Sequence, residues 1–493
     1  MGRYNHRERI LYLRKGCIEC IIAQEDLPVI ESIRYWNGFL PVELPERTKV
    51  FDISFLPRLP SVKQVENAVK EALSSPIGME TIPELVKSNK KVTIAFDDPC
   101  IPCGDTPRFR ETMLLLVLEE LKKAGIPKKD VRLLCANGLH RKWTRRELGL
   151  TVGQSIVDEF GFRLLCHDAE DRENLVYLGE TKSGYEVEVN RLVADSDLFI
   201  YVNFASNLFN GGWKSVNVGL STYRSIRYNH GPGQLMGVPL EQRIDSTKDP
   251  LHSTLNEMGE RLEEALGKQI FKIETVCNNK MDVAAVFAGT VTSTKDESLG
   301  AQAEQVLEDL SGLEQSDILI YGLPRWMPYA TFSETNPILN VVGMGLGYLL
   351  MLVELMLKKG GVVVMVSPCP NVWDEVHHPS YIEAWNRVLK QTRDPYEIRD
   401  LFEEDFAHRP EYIYKYRFCY AYHPVHPLFI LYNYYITTEY IGKVFVAEAQ
   451  DPRVIRHMGF EPAKTIQEAI CKAEQLVGKD CSISCMRYEF PGT

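Results

Sequence analysis

The sequence predicts an α/β protein with two lobes, each a doubly wound, mainly parallel sheet with helices on both faces. Short apolar strands alternate with amphipathic helices along most of the chain. With 493 residues, the chain is longer than one ordinary core accommodates. Its hydrophobic content of 45% and charged content of 25% are those of a globular protein.

The first predicted helix follows a proline-rich beginning. Residues 41–60 contain too many prolines for a helix, whereas "SVKQVENAVKEALSSP" (61–76) has apolar residues at helical spacing and Ser61 as a candidate N-cap. Residues 91–98, "KVTIAFDD", then predict a buried strand. Residues 110–125 predict a helix that ends at a glycine.

Three further strands continue this alternation, at 130–138, 162–168 and 196–204, with one or two helices between the first two. Strands that follow one another through helices are parallel. In such sheets the chemistry gathers where the strands end. We therefore expect the polar, glycine-rich segments after these strands to line one crevice.

The alternation resumes beyond a polar stretch near residue 290. Strands are predicted at 316–324, 361–368 and 443–449, and helices at 338–358 and 465–478. We expect an N-terminal domain of residues 1–290, completed by the C-terminal helix at about 460–493. A second domain, residues 291–459, would close over an active-site crevice between the lobes.

The apolar run at 338–357 raises the alternative of a membrane span. It contains Glu354 and several glycines, and a second apolar run follows it at once. A buried helix that continues into a buried strand therefore fits better. The N-terminus has no hydrophobic signal core, so we expect a cytoplasmic protein without a membrane segment.

The charge and the number and spacing of the cysteines argue against nucleic-acid-binding proteins, disulfide-rich scaffolds and zinc knuckles. A formal charge of −11 without a basic stripe argues against binding nucleic acid. Twelve cysteines are few for a disulfide scaffold, and the pairs "CIEC" (17–20) and "CIPC" (100–103) lie too far apart for a zinc knuckle. "CIPC" follows a predicted strand, which leaves ordinary packing, a pocket thiol and a metal ligand as alternatives.

Three motifs contain candidate functional residues, and each by itself leaves a structural alternative open. His140 in "NGLHR" follows a strand, where a general base or a solvated histidine can lie. Lys214 in "FNGGWKSVNVG" (209–219) suits a ligand close to the backbone, but Trp213 interrupts a P-loop pattern. His230 in "RYNHG" is a candidate metal ligand or a helix-terminal residue.

Taken together, "FDDP", "ANGLHR", "FNGGWKS" and "RYNHG" resemble, in order and spacing, the nickel-pincer-nucleotide lactate racemase family. The resemblance is good over residues 70–290 and extends to the rest in outline. It implies an isomerase, namely a racemase or epimerase of a 2-hydroxyacid that is lactate-like or sugar-acid-like. Its implied partners are the hydroxyacid substrate and the enzymes that mature the cofactor, and the oligomeric state stays open.

The family's functional residues match positions in this chain. The resemblance implies that Lys214 carries the pyridinium-3,5-bisthiocarboxylic acid mononucleotide nickel cofactor and that His230 ligates the nickel. His140 matches the catalytic base, and Asp97 matches the aspartate that opens the first motif. In the family mechanism the base takes the hydroxyl proton while the hydrogen on C2 leaves as hydride.

The residue types agree with this chemistry. A lysine amine forms a stable thioamide-type link with an activated thioacid. Gly211 and Gly212 allow a close approach to the backbone, and Ser215 with nearby amides can hold a phosphate. Soft sulfur and carbon donors with one imidazole give the square-planar field that nickel(II) favours.

The chain departs from the family at two positions. Phe204 stands where the family has a second histidine, and Cys100 stands where it has an arginine suited to a substrate carboxylate. The candidate replacements for the second acid/base are His167, Asp168, His423 and His426. The candidate substrate contacts are Arg108, Arg141, Arg325 and Trp326.

Two other functions remain open at this stage. The chain could be a non-catalytic binding protein for a small anion or a nucleotide that has lost the racemase chemistry, as the absent histidine favours. It could also be a zinc- or thiol-dependent hydrolase that uses Cys100, Cys103 and His140.

Overall fold

The structure is a computed structural model that describes residues 29–53, 57–86, 90–101, 107–205, 208–234, 240–348 and 350–488. For residues 29, 107, 108, 240, 241 and 350–352 it describes the backbone alone. The proposed contact Arg108 and the second cysteine of "CIPC", Cys103, therefore have side chains outside the described part, and so does the whole of "CIEC".

The strands within these ranges form two six-stranded and two two-stranded sheets. In chain order they are β1 (Val29–Tyr35), β2 (Gly38–Leu44), β3 (Thr48–Ile53), β4 (Val92–Asp97), β5 (Val131–Ala136), β6 (Leu164–Cys166), β7 (Leu175–Glu180), β8 (Glu186–Asn190), β9 (Leu198–Ala205), β10 (Phe271–Cys277), β11 (Val283–Gly289), β12 (Ser316–Gly322), β13 (Leu357–Val366), β14 (Lys443–Ala447), β15 (Glu461–Ala463) and β16 (Ile483–Tyr488).

The α-helices within the same ranges vary from one turn to about five turns. They are α1 (Val65–Ser74), α2 (Ile82–Leu85), α3 (Pro107–Lys123), α4 (Arg145–Val152), α5 (Gln154–Phe160), α6 (Arg191–Asp195), α7 (Lys214–Asn217), α8 (Tyr223–Ile226), α9 (Leu240–Arg243), α10 (Pro250–Leu266), α11 (Val291–Leu310), α12 (Leu350–Met356), α13 (Pro379–Glu383), α14 (Pro395–Ala407), α15 (Pro410–Phe418), α16 (His426–Leu431), α17 (Tyr435–Glu439), α18 (Pro452–His457) and α19 (Ile466–Val477).

The first large sheet has the strand order β11-β10-β9-β4-β5-β6. Its strands are parallel, except that β11 runs antiparallel to β10. The chain winds outward from β4 to β5 and β6, and from β9 to β10 on the other side. The direction of winding therefore changes between β4 and β9, which is where open α/β sheets bind their ligands.

The central strand β4 shows why these residues form this sheet. All six of its residues are buried, as expected for a parallel strand that is covered on both faces. Ile94 and Phe96 pack in one apolar cluster with Met113 of α3, while Ala95 packs in another with Leu255 of α10. Since neighbouring residues of a strand point to opposite faces, helices cover both sides of the sheet.

The second large sheet has the order β15-β14-β13-β12-β16-β3, and all of its strands are parallel. Strand β3 from near the N-terminus pairs with β16 from near the C-terminus. Helix α19 packs on this sheet, with Ile466, Ala469 and Ile470 in one cluster with Ile318 and Ile320. The C-terminal helix thus covers the second sheet, contrary to the expectation that it completes the first.

The α/β class, with mainly parallel sheets and helices on both faces, is confirmed. The domain boundary near residue 290 and the crevice between two lobes stay predictions. The apolar run after residue 337 forms a π-helix, Ile338–Tyr348, then α12, and enters β13 at Leu357. Among the described residues, no helix combines the length and the apolar character needed to span a bilayer.

Residues within and after α15 lie against the loop after β5. The hydroxyl of Tyr416 donates to the carbonyl of Gly138 at 2.9 Å, and the amide of His423 donates to the carbonyl of Leu139 at 3.0 Å. These bonds bring residues from the second half of the chain to the carboxyl ends of the first sheet.

Candidate active site

The loop after β4 presents two adjacent carboxylates with different environments. Asp97 is buried and accepts from the hydroxyl of Tyr201 at 3.0 Å and from the amide of Phe204 at 2.7 Å. Burial raises the pKa of Asp97, although the charge of Lys272 opposes this effect. Asp97 therefore ties β4 to β9 where the winding changes, and the carboxylate that faces His140 is Asp98.

His140 and Asp98 form a base-like pair at the end of β5. Nδ1 of His140 lies 3.0 Å from Oδ2 of Asp98, and Asp98 is buried while the His140 side chain is 21% exposed. A carboxylate acceptor fixes the proton on Nδ1, so the lone pair of the neutral ring is on Nε2. The pair thus has the arrangement of a general base with its orienting carboxylate.

Cys100 completes a small cluster with this pair. Ligand atoms of Asp98, Cys100 and His140 all lie within 4.8 Å of one another, and Sγ of Cys100 is 3.2 Å from the hydroxyl of Tyr422. Burial and the charge of Asp98 raise the pKa of the Cys100 thiol well above its usual value. The sulfur is therefore a neutral thiol unless a cation displaces its proton.

The loop before α7 requires glycine at two positions. Gly211 and Gly212 have φ values of 88° and 56°. A Cβ on Gly211 would lie 2.2 Å from Oε1 of Glu274, and one on Gly212 would lie 2.9 Å from Cγ of Lys295. These two glycines thus allow the loop to pass directly over buried charged side chains.

The charged side chains beneath the loop determine its conformation. Lys295 donates to the carbonyls of Leu208 and Asn210, at 3.0 and 2.6 Å. Glu274 accepts from the amide of Gly212 at 2.9 Å, and Lys272, which lies 3.8 Å from Glu274, donates to the hydroxyl of Ser215. Buried charges are retained where they satisfy groups that water cannot reach, here the polar groups of this loop.

Lys214 begins α7 and is half-buried above this network. Its Nζ donates to Oδ1 of Asn210 at 3.3 Å. Burial and the charge of Lys295 lower the pKa of Lys214 to about 8, because both disfavour the ammonium form. A larger fraction of this amine is therefore neutral and nucleophilic at neutral pH than for an ordinary lysine.

His230 lies near both Lys214 and His140. Burial and the electrostatic effects of these two residues lower the pKa of His230 to about 3, so its ring is neutral at neutral pH. Nδ1 of His230 lies 2.5 Å from Oδ1 of Asn229, whose amide nitrogen contacts the sulfur of Met258 at 3.8 Å. Because an amide oxygen accepts, Nδ1 carries the proton and Nε2 is free to bind a metal.

The candidate substrate contacts divide into two groups. Arg141 is fully buried and makes a bidentate pair with Glu147, at 3.1 and 2.7 Å, while it stacks on Trp143. These bonds leave its guanidinium little to offer a carboxylate. Arg325 and Trp326 line a cleft of about 660 Å³ whose lining residues do not include His140, Lys214 or His230.

The residues considered for a second acid/base differ in their contacts. Phe204 packs edge-on against Phe109, with ring centroids 5.1 Å apart. Asp168 accepts from Lys142 at 2.6 Å and from Arg417 at 3.2 Å. The ring of His426, in contrast, lies 5.3 Å from the ring of His140.

Several residues that organise the site are not among those that the family motifs indicate. Asp98 stands beside Asp97, the aspartate that matches the motif, and the alternation of faces along a strand distinguishes the two. Lys272 and Glu274 lie in the otherwise apolar strand β10, and charged residues in a fully buried strand are a recognisable signal. Asn229 gave no such signal in the sequence.

Residues 35–237 match the protein family described as the lactate racemase N-terminal domain. The chain is 24% identical over 435 residues to the lactate racemase of Thermoanaerobacterium thermosaccharolyticum. It is also 24% identical over 428 residues to the lactate racemase of Lactiplantibacillus plantarum. Each alignment covers 85% of this chain and 88% of the relative.

Two solved structures have the same fold. The lactate racemase apoprotein from Thermoanaerobacterium thermosaccharolyticum superimposes with a TM-score of 0.65 at 20% identity, over 94% of this chain and 100% of that one. A crystal structure from Thermotoga maritima gives a TM-score of 0.51 at 15% identity, over 86% and 98% of the two chains. At these identities the likeness shows the fold alone.

Proposed function

Since the chain is a divergent member of the lactate racemase family, we propose that it is a nickel-pincer-nucleotide-dependent racemase or epimerase of a 2-hydroxyacid. Racemase chemistry is supported by the two curated relatives, which align along most of the chain. The finer proposal depends on one observation, namely that Lys214 and His140 both lie near enough to His230 to lower the pKa of its ring.

The environment of His230 fits a nickel ligand. Its ring stays neutral above about pH 3, and its Nδ1 proton is held by Asn229, so Nε2 presents a lone pair. Histidines that ligate metals usually donate their other N–H to an oxygen in this way, which fixes the ring orientation. His230 would therefore hold the nickel, and Asn229 would orient the ligand.

The environment of Lys214 fits a covalent tether. The amine, with its pKa of about 8, is nucleophilic enough to attack an activated thioacid at neutral pH. Gly211 and Gly212 let the loop lie close over Glu274 and Lys295, and two buried lysines beneath it, Lys272 and Lys295, favour an anionic group nearby. Lys214 would hold the nucleotide, with Ser215 and the loop amides near its phosphate.

The residues around the substrate have separate roles in this proposal. When bound, the cofactor supplies a reversible acceptor for the hydrogen on C2 together with its electron pair. His140 accepts the hydroxyl proton on Nε2, and the Asp98 carboxylate stabilises the resulting imidazolium. The aromatic ring of Tyr329, 5.0 Å from that of His140, helps to exclude water from this proton transfer.

The proposed organisation of the chain follows from this site. An N-terminal domain of residues 1–290 would bind the cofactor, and residues 291–459 would close over the substrate. The cofactor maturation enzymes would be the partners that load Lys214. Arg108 remains the proposed contact for the substrate carboxylate, and Arg325 and Trp326 remain the proposed second-lobe residues that close over the substrate.

Co-expression with the pincer-nucleotide maturation enzymes tests the proposal. Intact mass and metal analysis should find the cofactor mass on the peptide that contains Lys214 and about one nickel per chain. A substrate deuterated at C2 should racemise without loss of label to solvent. An unmodified Lys214 in matured protein, or washout of the label, would refute the proposal.

The Asp98–Cys100–His140 cluster favours a second candidate function, a zinc-dependent hydrolase, because Cys, His and Asp are all zinc ligands. The two functions differ in which residue controls the metal. The racemase requires that His230→Gln lowers nickel content while Cys100→Ser leaves it unchanged. Protein that binds zinc in a manner abolished by Cys100→Ser, and that hydrolyses an ester or amide, would favour the hydrolase instead.

A further inference from the structure

The two-sided exchange of a proton at a hydroxyl needs two acid/base groups, and Phe204 leaves one position without a proton carrier. The ring of Phe204 packs against Phe109 and the guanidinium of Arg110, each at 5.1 Å, and its neighbour Asn203 is not a proton acceptor at neutral pH. A second group must therefore come from another element.

The other candidate histidines have both ring nitrogens occupied. His167 pairs with the carbonyl of Ser221 at 2.9 Å and with the side chain of Asn190 at 3.0 Å. His423 pairs with Glu170 at 3.0 Å and accepts from the amide of Val425 at 3.3 Å. Neither ring has a nitrogen left for a substrate.

His426 has a different set of contacts. Its Nδ1 lies 2.6 Å from the hydroxyl of Tyr381, and within the described part of the chain its Nε2 forms no hydrogen bond. Its ring meets that of His140 edge-on, with centroids 5.3 Å apart, and lies 4.8 Å from the ring of Tyr422. The ring is buried at the start of α16 beside the proposed base.

Tyr381 gives this ring a defined orientation. The phenol oxygen of Tyr381 can accept from Nδ1–H in both the neutral and the protonated imidazole, and the exchangeable position is then Nε2 in both states. His140 is arranged in the same way, because Asp98 accepts from its Nδ1. The site thus contains two adjacent imidazoles, each held through Nδ1.

We propose that His426 is the second acid/base of this site and that Tyr381 positions it. This assignment rests on the proposed racemase function. In this assignment the two imidazoles share one proton during turnover. In one direction neutral His426 would take the substrate hydroxyl proton, and the cofactor, when bound, would supply the acceptor for the C2 hydrogen and its electron pair. Once C2 again carries hydrogen, on its other face, protonated His140 would give its proton to the oxygen.

The number of protons held by the two histidines is the same before and after the reaction. One proton moves from substrate to His426 and one from His140 to product, so the pair still holds one proton, now on His426. The reverse reaction uses His140 as the base and His426 as the acid. Transfer of the proton between the adjacent rings resets the pair.

Single-turnover experiments on the holoenzyme test the assignment. The substrate is the 2-hydroxyacid that wild-type protein racemises fastest in a panel that begins with D- and L-lactate. Each enantiomer is mixed with excess enzyme, and the 2-oxoacid formed is measured by rapid quench. The variants are His426→Gln and, as the matched control from the same helix entry, His423→Gln.

We expect His426→Gln to lower racemisation by at least about 100-fold, the usual contribution of an acid/base group. Formation of 2-oxoacid should fall by a similar factor from one enantiomer and by less than about threefold from the other, for which His140 is the base. A merely structural role would lower both alike. Equal losses from the two enantiomers, or racemisation within threefold of wild type, would overturn the assignment.

Two further measurements keep the result interpretable. Imidazole should restore racemisation to His426→Gly, whereas no rescue would count against a proton-transfer role. In apoprotein labelled with 15N-histidine, Tyr381→Phe should shift the ring signals of His426 and not those of His423, and unchanged signals would overturn the role of Tyr381. Wild-type holoenzyme that racemises no 2-hydroxyacid would refute the underlying function, which is a distinct outcome.

Discussion

The lowered pKa of Lys214 predicts an unusual reactivity that needs no cofactor to measure. Burial and the charge of Lys295 disfavour the ammonium form, and the pKa is about 8. The neutral fraction at pH 7 is then about 10%, compared with about 0.04% for a lysine with a pKa of about 10.4. Reactivity towards an acylating reagent should therefore rise with pH and level off above about pH 8.

Apoprotein made without the maturation enzymes is the sample for this measurement. A pulse of isotopically labelled acetic anhydride at pH 6 to 10, followed by complete acetylation after denaturation, gives the labelled fraction of each lysine peptide by mass spectrometry. The peptide of Lys214 should reach its half-maximal rate near pH 8. Lys295→Met, which removes the second cause of the shift, should move that midpoint upwards.

A midpoint for Lys214 near that of an ordinary lysine would refute the reasoning. It would mean that water or a counter-ion stabilises the ammonium form in the pocket. The tether would then need activation by a maturation enzyme and could not rely on its own environment.

Three other predictions concern the base, the loop and the buried charges. Asp98→Asn should lower kcat by about 100-fold with little change in KM, because an amide stabilises the imidazolium less well; steady-state kinetics on holoenzyme measure this. Gly211→Ala should prevent cofactor loading as judged by intact mass, since its Cβ would meet Glu274 at 2.2 Å, whereas Gly267→Ala, at a positive φ in open space, should load normally. Lys272→Met should lower the free energy of unfolding by about 3 kcal/mol in thermal or urea unfolding, because it leaves the Glu274 carboxylate buried without its cation. Adding Glu274→Gln should recover part of this loss. Equal stability of the single and double variants would contradict the prediction.

Local sequence patterns predicted most of the elements that frame the site. The apolar runs of β4, β5 and β9 and the amphipathic helix α3 were readable because a buried parallel strand or a helix leaves its period in the sequence. The glycines before Lys214 were readable for a similar reason, since few residues other than glycine adopt a positive φ beside packed side chains.

Patterns within one segment did not show which distant segments would meet. The sequence suggested that the C-terminal helix covers the first sheet, but α19 packs on the second. Strand β16, which follows α19, pairs with β12 and β3, and this pairing holds the C-terminal segment at the second sheet. Strand pairing over such separations depends on the summed packing of whole faces, which a local period does not encode.

The sequence by itself determined the chemistry that this chain can offer, because side-chain type sets which atoms can carry a proton, ligate a metal or attack a thioacid. Lys214, His230 and His140 became candidates only through the resemblance of their motifs, in order and spacing, to the lactate racemase family. Only the tertiary structure decided which of these groups share an environment, since burial and neighbouring charges depend on distances between remote segments. In the folded chain the carboxylate that contacts His140 is that of Asp98 and not that of Asp97. The ring of His426 lies beside the same histidine.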